Sequence, residues 1–420
     1  MMLETLTFFA IVGALIRPVD GPPIPQGTIV VRDGRIVSVA AGRAPPAGAE
    51  VIDGAGMVVT PGFVAVESAL GLVEIDLEDS TRDAAPEGDA SDPVRAAFSA
   101  ADGYNPLATA IPVARTGGVT SALSTPMGGL VSGTSAWVDL AGERPADAIA
   151  RAVAALHVRL DDGGIGASGG ARSSTLTRLR ETLDDARLYG RSRGAYDRRA
   201  LREMRVSRLD LERLQEALAG RIPVVVRVSR ASDILRVLEL AREYRFRLVL
   251  AGAEEAWRVA DRIAADDVPV ILQPLTNLPT SFATLGSRYD NAALLVRAGV
   301  RVVFEASGAA DLRNLRQEAG NAVAWGVDPE VALRALTLEP ARVFGMDREY
   351  GALTPNRVAN LVMWSGDPFE TSTRAVRVWI RGRNATLRTR QTALFERYRD
   401  LRRVRRGAPR PSVPVRSSGL

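Results

Sequence analysis

The sequence predicts a parallel β/α barrel joined to a small β domain that is built from both chain ends. Apolar runs typical of buried strands alternate with helical segments rich in Ala, Leu and Arg over roughly 280 residues. Short strands separated by turn signals stand before this region and return after it. Since the chain has 420 residues and 46 % hydrophobic content, it is long enough to bury a large core together with an accessory domain.

The first sixty residues have the pattern of a small β-sheet. Apolar stretches alternate with Asp-Gly pairs, which are typical of tight turns between strands, at Asp20-Gly21, Asp33-Gly34 and Asp53-Gly54. The pattern predicts strands at 7–16, 27–32, 35–40 and 50–52, and two further strands at 359–364 and 376–381. We expect the strands of both chain ends to form one composite domain, residues 1–58 and 345–388.

The barrel domain is predicted over residues 59–344. Its strands are expected at 58–66, 119–123, 222–228, 247–251, 268–272 and 300–306, because these runs are apolar throughout, as strands buried on both faces are. The Arg-rich stretch 171–218 is predicted to form exposed helices with local ion pairs. His157 is predicted on a helix between barrel strands, as a structural or surface residue, and Asp139 in a turn that lines the barrel.

Missing residue types exclude several chemistries. The chain has no Cys and no Lys, and its one His is His157. Disulfides, thiolate metal sites, cysteine nucleophiles, Schiff bases and P-loop lysines are therefore excluded.

The apolar run 6–16 is too short to span a bilayer and lacks the basic start of a signal peptide. We expect no transmembrane segment and a cytoplasmic protein, soluble or peripheral at a membrane, or a periplasmic one if an export signal is missing from this chain.

Charge is divided between an acidic stretch and a basic C-terminal segment. Residues 381–420 contain twelve Arg against Glu396 and Asp400, a net charge of +10, which leaves −5 for the rest of a chain whose total is +5. Residues 389–420 are predicted to form a basic helix followed by an extended arm that contains three Pro. The acidic stretch 74–102 is predicted to be a long surface loop, since it lacks the regular ligand spacing of a calcium loop.

The arm is expected to attach the protein to a partner. Arginine clusters of this kind bind acidic proteins and anionic membrane surfaces, whereas nucleic acid is not expected, because only Phe395 and Tyr398 offer rings for stacking. A solvated terminal helix with no partner is the alternative. The residues predicted to attach are Arg397, Arg399, Arg402, Arg403, Arg405, Arg406 and Arg410.

Several sequence blocks together resemble one enzyme superfamily. The blocks are 58–71 (VVTPGFVAVESALG), 31–37 (VRDGRIV), 114–120 (ARTGGVT), 332–341 (ALRALTLEPA) and the stretch from Gly351 to Pro368. Their combination resembles the amidohydrolase superfamily, particularly its imidazolonepropionase-like branch. The resemblance implies a (β/α)8 TIM-like barrel with a small β-sandwich domain from both termini, and one or two divalent metals at the C-terminal ends of the strands.

The resemblance also places the metal ligands, and here the chain departs from the family. The His-x-His pair of the first strand falls on Glu67 and Ala69, the two later His fall near Arg227 and Gly252, and the final Asp falls near Ser307. The bridging carboxylated Lys cannot exist in this chain. Ala69 and Gly252 offer no donor, and Arg227 would place a permanent cation beside a dication. The sequence therefore predicts no metal and no other cofactor.

Two classes of function remain open. In the first, the chain is a catalytically inactive amidohydrolase-fold protein, a pseudoenzyme that serves as a structural or interaction subunit of a larger, membrane-associated or soluble assembly, and Glu67 and Arg227 form a structural charge pair. In the second, it is a divergent hydrolase of non-peptide C–N bonds, or a small-ligand binder, that works without the usual metal. The candidate residues for this second class are Glu67, Arg227 and Glu305. No residue is assigned as catalytic.

Overall fold

The computed structural model describes residues 7–85, 92–276, 278–306 and 308–399. The strands are β1 Phe8–Ile16, β2 Ile24–Arg32, β3 Arg35–Ala41, β4 Glu50–Asp53, β5 Val58–Pro61, β6 Phe63–Ser68, β7 Val119–Ser124, β8 Val131–Asp139, β9 Ile149–Arg159, β10 Val224–Val228, β11 Leu248–Gly252, β12 Val270–Leu272, β13 Val302–Phe304, β14 Leu361–Trp364, β15 Ala375–Ile380 and β16 Arg383–Asn384.

The helices follow the barrel strands and the C-terminal sheet strands. They are α1 Ala100–Gly103, α2 Ala110–Thr116, α3 Pro145–Ala148, α4 Asp162–Ala167, α5 Arg172–Arg191, α6 Arg193–Asp197, α7 Arg208–Leu218, α8 Ala231–Tyr244, α9 Ala260–Ala265, α10 Asn291–Arg297, α11 Leu315–Ala324, α12 Pro329–Leu336, α13 Leu338–Val343 and α14 Arg390–Tyr398. No helix in the described part of the chain is long and apolar enough to cross a membrane.

Strands from both chain ends meet in one eight-stranded sheet. Its order is β16-β15-β14-β5-β1-β2-β3, and β4 pairs with β1 in addition. The junction between the two ends is the antiparallel pair of β14 and β5, in which Leu361 lies opposite Pro61. The N-terminal strand predictions agree with this sheet. The assignment of the chain ends to a two-layered sandwich, and the domain bounds, stay predictions.

The second sheet is a nearly closed barrel of eight strands, β6 to β13 in sequence order. It differs from a uniform (β/α)8 barrel, because β8 runs antiparallel to both β7 and β9. The short connection explains the antiparallel direction of β8. Only residues 125–130 connect β7 to β8, and a parallel crossover needs at least about ten residues. The tight connection contains Gly128 and Gly129, both with positive φ.

The predicted first barrel strand, residues 58–66, is divided between the two sheets. β5 pairs with β1 and β14 in the terminal sheet, whereas β6 pairs with β7 in the barrel. The break lies at Gly62, where a Cβ atom would stand 2.1 Å from Oγ1 of Thr120. Only glycine permits this close approach of the two strands. One continuous apolar run therefore links the two sheets.

The barrel interior contains one apolar layer with a polar layer above it. Alternate residues of the strands form a buried cluster that includes Val225, Val303 and Ala155, and Ala341, Val343 and Phe344 belong to the same cluster. Because successive side chains of a strand point to opposite faces, the residue two positions further along each strand shares its face. Those residues are Arg227, Glu305 and His157, at the C-terminal ends of their strands.

Candidate functional site

Four side chains meet at the C-terminal mouth of the barrel. Glu67 comes from β6, His157 from β9, Arg227 from β10, and Glu305 follows β13 directly. In barrels of this type the C-terminal ends of the strands position the reactive groups. Three of the four, Glu67, Arg227 and Glu305, were candidates from the sequence, and in the structure Arg227 contacts both carboxylates.

Glu67 is aimed into the mouth by a β-bulge. The pairing of β6 with β7 shifts between Ala65 and Ser68, so that one extra residue is inserted in β6. Glu67 itself has a φ of 52°, in the left-handed region that non-glycine residues seldom adopt. Such bulges re-aim side chains and are frequent beside functional sites, and strained backbone is found there too.

Arg227 binds both carboxylates through one nitrogen. Its Nη2 atom donates to Oε2 of Glu305 at 2.6 Å and to Oε2 of Glu67 at 3.3 Å. The predicted charge pair between Glu67 and Arg227 is therefore present, with Glu305 as a stronger second partner. Burial opposes the charge on Arg227, but the two carboxylates outweigh it and raise the pKa of the guanidinium. The side chain remains 27 % exposed, on the cavity side.

His157 belongs to this cluster, and its predicted location on a helix was wrong. It lies in β9, opposite Val225 of β10, and is buried. Its Nδ1 atom is 2.9 Å from Oε1 of Glu67, and its Nε2 atom is 2.8 Å from Oγ of Ser135. The apolar run around His157 fits a strand as well as a buried helix, and its length alone did not separate the two.

Glu67 and Glu305 have opposite pKa shifts. Burial tends to raise the pKa of Glu67, but the nearby His157 and Arg227 lower it to about 2. For Glu305, burial raises the pKa and Arg227 only partly offsets this rise, while the Glu67 carboxylate adds to it. The cluster therefore holds one firmly ionised carboxylate and one that takes up a proton more readily.

Glu318 extends the acidic region behind the mouth. This helix α11 side chain is buried, accepts a hydrogen bond from the Leu275 backbone N–H at 2.7 Å, and lies 3.3 Å from Nε2 of Gln273. Burial raises its pKa to about 7, and the nearby Glu305 contributes to the rise. Sequence reasoning missed Glu318 because nothing in its helical context marks it as buried.

A small cavity of about 40 Å³ opens beside the cluster. Its polar lining includes Arg227, Glu305, Glu254, Gln273, Thr276, Arg288 and Asn291. Glu254 makes no hydrogen bond or ion pair with any residue that the structure describes, and its Oε2 atom is buried. This space accepts one or two water molecules or a small polar group.

The arrangement does not fit a divalent cation. The Arg227 guanidinium stands between Glu67 and Glu305, where a cation would bridge them, and both ring nitrogens of His157 already face Ser135 and Glu67. Within residues 7–85, 92–276, 278–306 and 308–399, no three His, Cys, Asp or Glu side chains are grouped to hold a metal ion. A positive charge in this position would repel a dication.

The remaining predicted positions contribute little to the mouth. Ala69 is buried just beyond β6 and has no donor atom. Gly252 ends β11 with a φ of 75°, and a Cβ atom there would lie 3.5 Å from Nη1 of Arg227. Ser307 lies outside the described residues. In the basic segment, Arg397 and Arg399 are exposed, while Arg402, Arg403, Arg405, Arg406 and Arg410 lie outside the described part.

A second buried charged cluster surrounds Asp139 at the N-terminal end of the barrel. Asp139 ends β8 and is fully buried, rather than lying in a turn that lines the barrel as predicted. It accepts hydrogen bonds from Ser121, Asn360, Tyr350 and Arg381 at 2.8, 2.9, 3.0 and 2.6 Å. Because Asn360 and Arg381 belong to the C-terminal strands, this cluster connects the barrel to the terminal sheet.

Comparison with known proteins assigns the fold. The chain superimposes on the crystal structure of an amidohydrolase from Thermotoga maritima MSB8 with a TM-score of 0.82 and 26 % identity, over 90 % of this chain and 100 % of that one. Residues 207–391 match the amidohydrolase family. The chain has the amidohydrolase fold. That family match covers β10 to β16, and so includes Arg227 and Glu305.

More distant relatives share the amidohydrolase fold or part of the sequence. The amidohydrolase tasK of Hapsidospora irregularis is 23 % identical over 80 % of this chain, which spans only 37 % of that protein's length. Molinate hydrolase has a TM-score of 0.57 at 16 % identity, over 99 % of both chains. Phenylurea hydrolase B has a TM-score of 0.56 at 18 % identity, over 91 % of this chain and 97 % of its own.

Proposed function

We propose that this chain is an amidohydrolase-fold protein without metal-dependent hydrolysis, which serves as a structural or interaction subunit of a larger assembly. One observation carries the proposal: the guanidinium of Arg227 occupies the centre of the barrel mouth, between Glu67 and Glu305. In this proposal, Glu67, Ala69, Arg227, Gly252 and Ser307 stand where the imidazolonepropionase-like branch has its metal ligands.

Electrostatics supports this assignment. At an effective dielectric constant of about 20, a dication a few Å from a guanidinium is disfavoured by several kcal/mol. Two carboxylates would have to release Arg227 before they could bind a metal, and Glu305 holds it at 2.6 Å. In this proposal the Arg227 guanidinium takes the structural role of a metal, because it binds carboxylates that come from strands on different sides of the mouth.

The second part of the proposal concerns the surface. A protein that keeps a fold without the usual catalytic residues can use its surface residues to bind a partner. The basic segment is the strongest candidate: Arg397 in α14 and Arg399 directly after it are exposed, and six further arginines follow in the sequence. We propose that it attaches the protein to an acidic protein partner or an anionic membrane surface, in the cytoplasm or the periplasm.

A second candidate function is a metal-independent hydrolase of non-peptide C–N bonds. It is favoured by the raised pKa of Glu305 beside a cavity, because a carboxyl group of this kind can act as a general acid or base. Two of the fold relatives are named for hydrolysis of molinate and of a phenylurea. The small volume of the cavity and the engagement of Glu305 with Arg227 count against this candidate.

An activity assay separates the two candidates. The full chain would be incubated with a panel of amides, ureas and carbamates, with chelator and with added Zn²⁺ or Mn²⁺. We expect no hydrolysis above that of the buffer, and no difference between the wild type and Glu305→Gln. The control variant is Glu339→Gln, near the other end of the barrel. Turnover that resists chelation, is abolished by Glu305→Gln and is retained in Glu339→Gln would refute the first proposal and support the second.

A further inference from the structure

Two unpartnered surfaces of this chain complement each other. One is helix α14, and the other is the loop of residues 74–83 that follows β6, here called the acidic mouth loop. Each combines exposed apolar side chains with charges of a single dominant sign, and the two signs are opposite. Surfaces of this kind are the usual signature of a docking site.

Helix α14 buries none of its residues. Tyr398 lies four positions after Leu394 and three after Phe395, so the three side chains share one face, and all are exposed, Phe395 to 66 %. Arg390, Arg397 and Arg399 surround this face. The helix begins with a capping box at Thr389 and Thr392, so its start is well defined. A nine-residue helix is marginal in water by itself, and a partner surface would stabilise it.

The acidic mouth loop presents its apolar side chains from a fixed backbone. Ile75 and Leu77 are exposed, Leu77 to 96 %. The backbone N–H of Glu74 donates to the Thr81 carbonyl at 3.0 Å, and the Thr81 hydroxyl donates to the Ile75 carbonyl at 3.0 Å, so the loop is closed on itself. A surface that is ordered before binding loses less entropy when a partner docks.

The charges of the loop are largely free for a partner. Residues 74–83 contain five acidic residues and one basic residue, Arg82. Nη1 of Arg82 lies 3.4 Å from Oδ1 of Asp79. Asp76 makes no ion pair within the described part of the chain. Another loop at the C-terminal end of the barrel, residues 273–287 after β12, contains no charged residue and exposes Leu278, Phe282 and Leu285.

We propose that α14 of one copy docks on the acidic mouth loop of a second copy. The occupant is a second copy because, within one chain, the apolar side chains of both surfaces are exposed and so do not cover each other. The inference rests on the proposed function in one respect: it takes the C-terminal segment as the attachment element and names its acidic partner. If each of two copies docks its α14 on the other, the result is a symmetric dimer. If each copy docks on the next one only, the result is an open filament of copies.

Single cysteines test the contact directly, because the natural chain has no Cys and no Lys. Leu77→Cys protein would be mixed with mass-tagged Phe395→Cys protein under mild oxidation. We expect the disulfide between the two variants to form at least about tenfold more than with the control Leu209→Cys, whose position on α7 is also exposed. Equal yields with Leu77→Cys and Leu209→Cys would overturn the proposal.

Charge exchange provides the second test. Sedimentation of the full chain should show self-association that weakens at least about tenfold in Arg397→Glu/Arg399→Glu and in Asp76→Arg/Glu78→Arg, and that returns when the two variants are mixed. The exposed pair Arg43→Glu/Arg377→Glu changes the charge equally and should have no effect. A wild type that stays monomeric to roughly 100 µM, or a mixture that does not recover, would overturn the proposal.

The outcomes keep this inference separate from the proposed function. Metal-independent turnover would refute the proposed function, yet it would leave the disulfide and sedimentation results unchanged. Conversely, a monomeric chain whose binding to anionic vesicles is lost in Arg397→Glu/Arg399→Glu would sustain the attachment role of the segment and refute docking on a second copy. Each result therefore decides one of the two claims.

Discussion

The barrel has a buried ionic cluster at each end, and the two clusters differ in their balance of charge. At the N-terminal end, one carboxylate, Asp139, accepts from four donors, of which Arg381 alone is a cation. At the mouth, two carboxylates share one nitrogen of Arg227, and a small cavity adjoins them. The first cluster is saturated and joins two sheets. The second has more acceptor groups than cations, since two carboxylates face one guanidinium.

Removal of the carboxylate from the saturated cluster should have the largest effect. Asp139→Ala leaves Ser121, Tyr350, Asn360 and Arg381 without their common acceptor in a buried site. We expect the free energy of unfolding to fall by about 3–5 kcal/mol, since breaking a buried pair leaves an unpaired charge. Denaturant titration measures it, with Asp197→Ala at an exposed position as control. A loss under about 1 kcal/mol would mean that the cluster does not join the sheets.

Removal of the cation from the mouth should have a smaller, pH-dependent effect. Arg227→Met leaves Glu67 and Glu305 facing each other, and we expect a loss of about 2–4 kcal/mol at pH 8. Because burial already raises the pKa of Glu305, that group takes up a proton and relieves the repulsion as the pH falls. The loss should therefore shrink at pH 5. A loss that is equal at both pH values would contradict the described charge balance.

Glu318 should make the mouth region less stable at alkaline pH. Its pKa is raised to about 7 in the folded chain, so its contribution to stability is complete below its unfolded pKa and is lost as the pH rises through about 7. Glu318→Gln removes this titration. We expect the variant to gain about 1–3 kcal/mol relative to wild type between pH 5 and pH 8. Parallel pH profiles of the two proteins would contradict this expectation.

Glu67 should contribute to stability in the opposite pH range. His157 and Arg227 overcome burial and lower its pKa to about 2, so its contribution is present above its unfolded pKa and is lost as the pH falls towards 2. Glu67→Gln should cost on the order of 1 kcal/mol at pH 7 and flatten the acid limb of the stability curve. Unchanged acid unfolding in this variant would show that Glu67 is not held ionised.

The sequence predicted much of this architecture. Apolar runs located the strands β7 and β10 to β13, because buried parallel strands need no polar alternation. The charge pair of Glu67 and Arg227 also followed, because the family resemblance placed both residues at the mouth of the barrel. Three features did not follow. The antiparallel direction of β8 depends on the short 125–130 connection. The strand position of His157 depends on an apolar run that fits a strand and a buried helix equally well. The role of Asp139 depends on Arg381, which lies 242 residues later in the sequence.

Direct measurement of metal content tests the central claim, that Arg227 replaces a metal at the mouth. The full chain would be equilibrated with Zn²⁺ and with Mn²⁺, desalted and analysed by elemental mass spectrometry, beside Glu67→Gln/Glu305→Gln as the matched variant. We predict well below one metal ion per chain in both proteins. One ion per chain in the wild type that is lost in the variant would contradict the account and restore the mouth as a metal site.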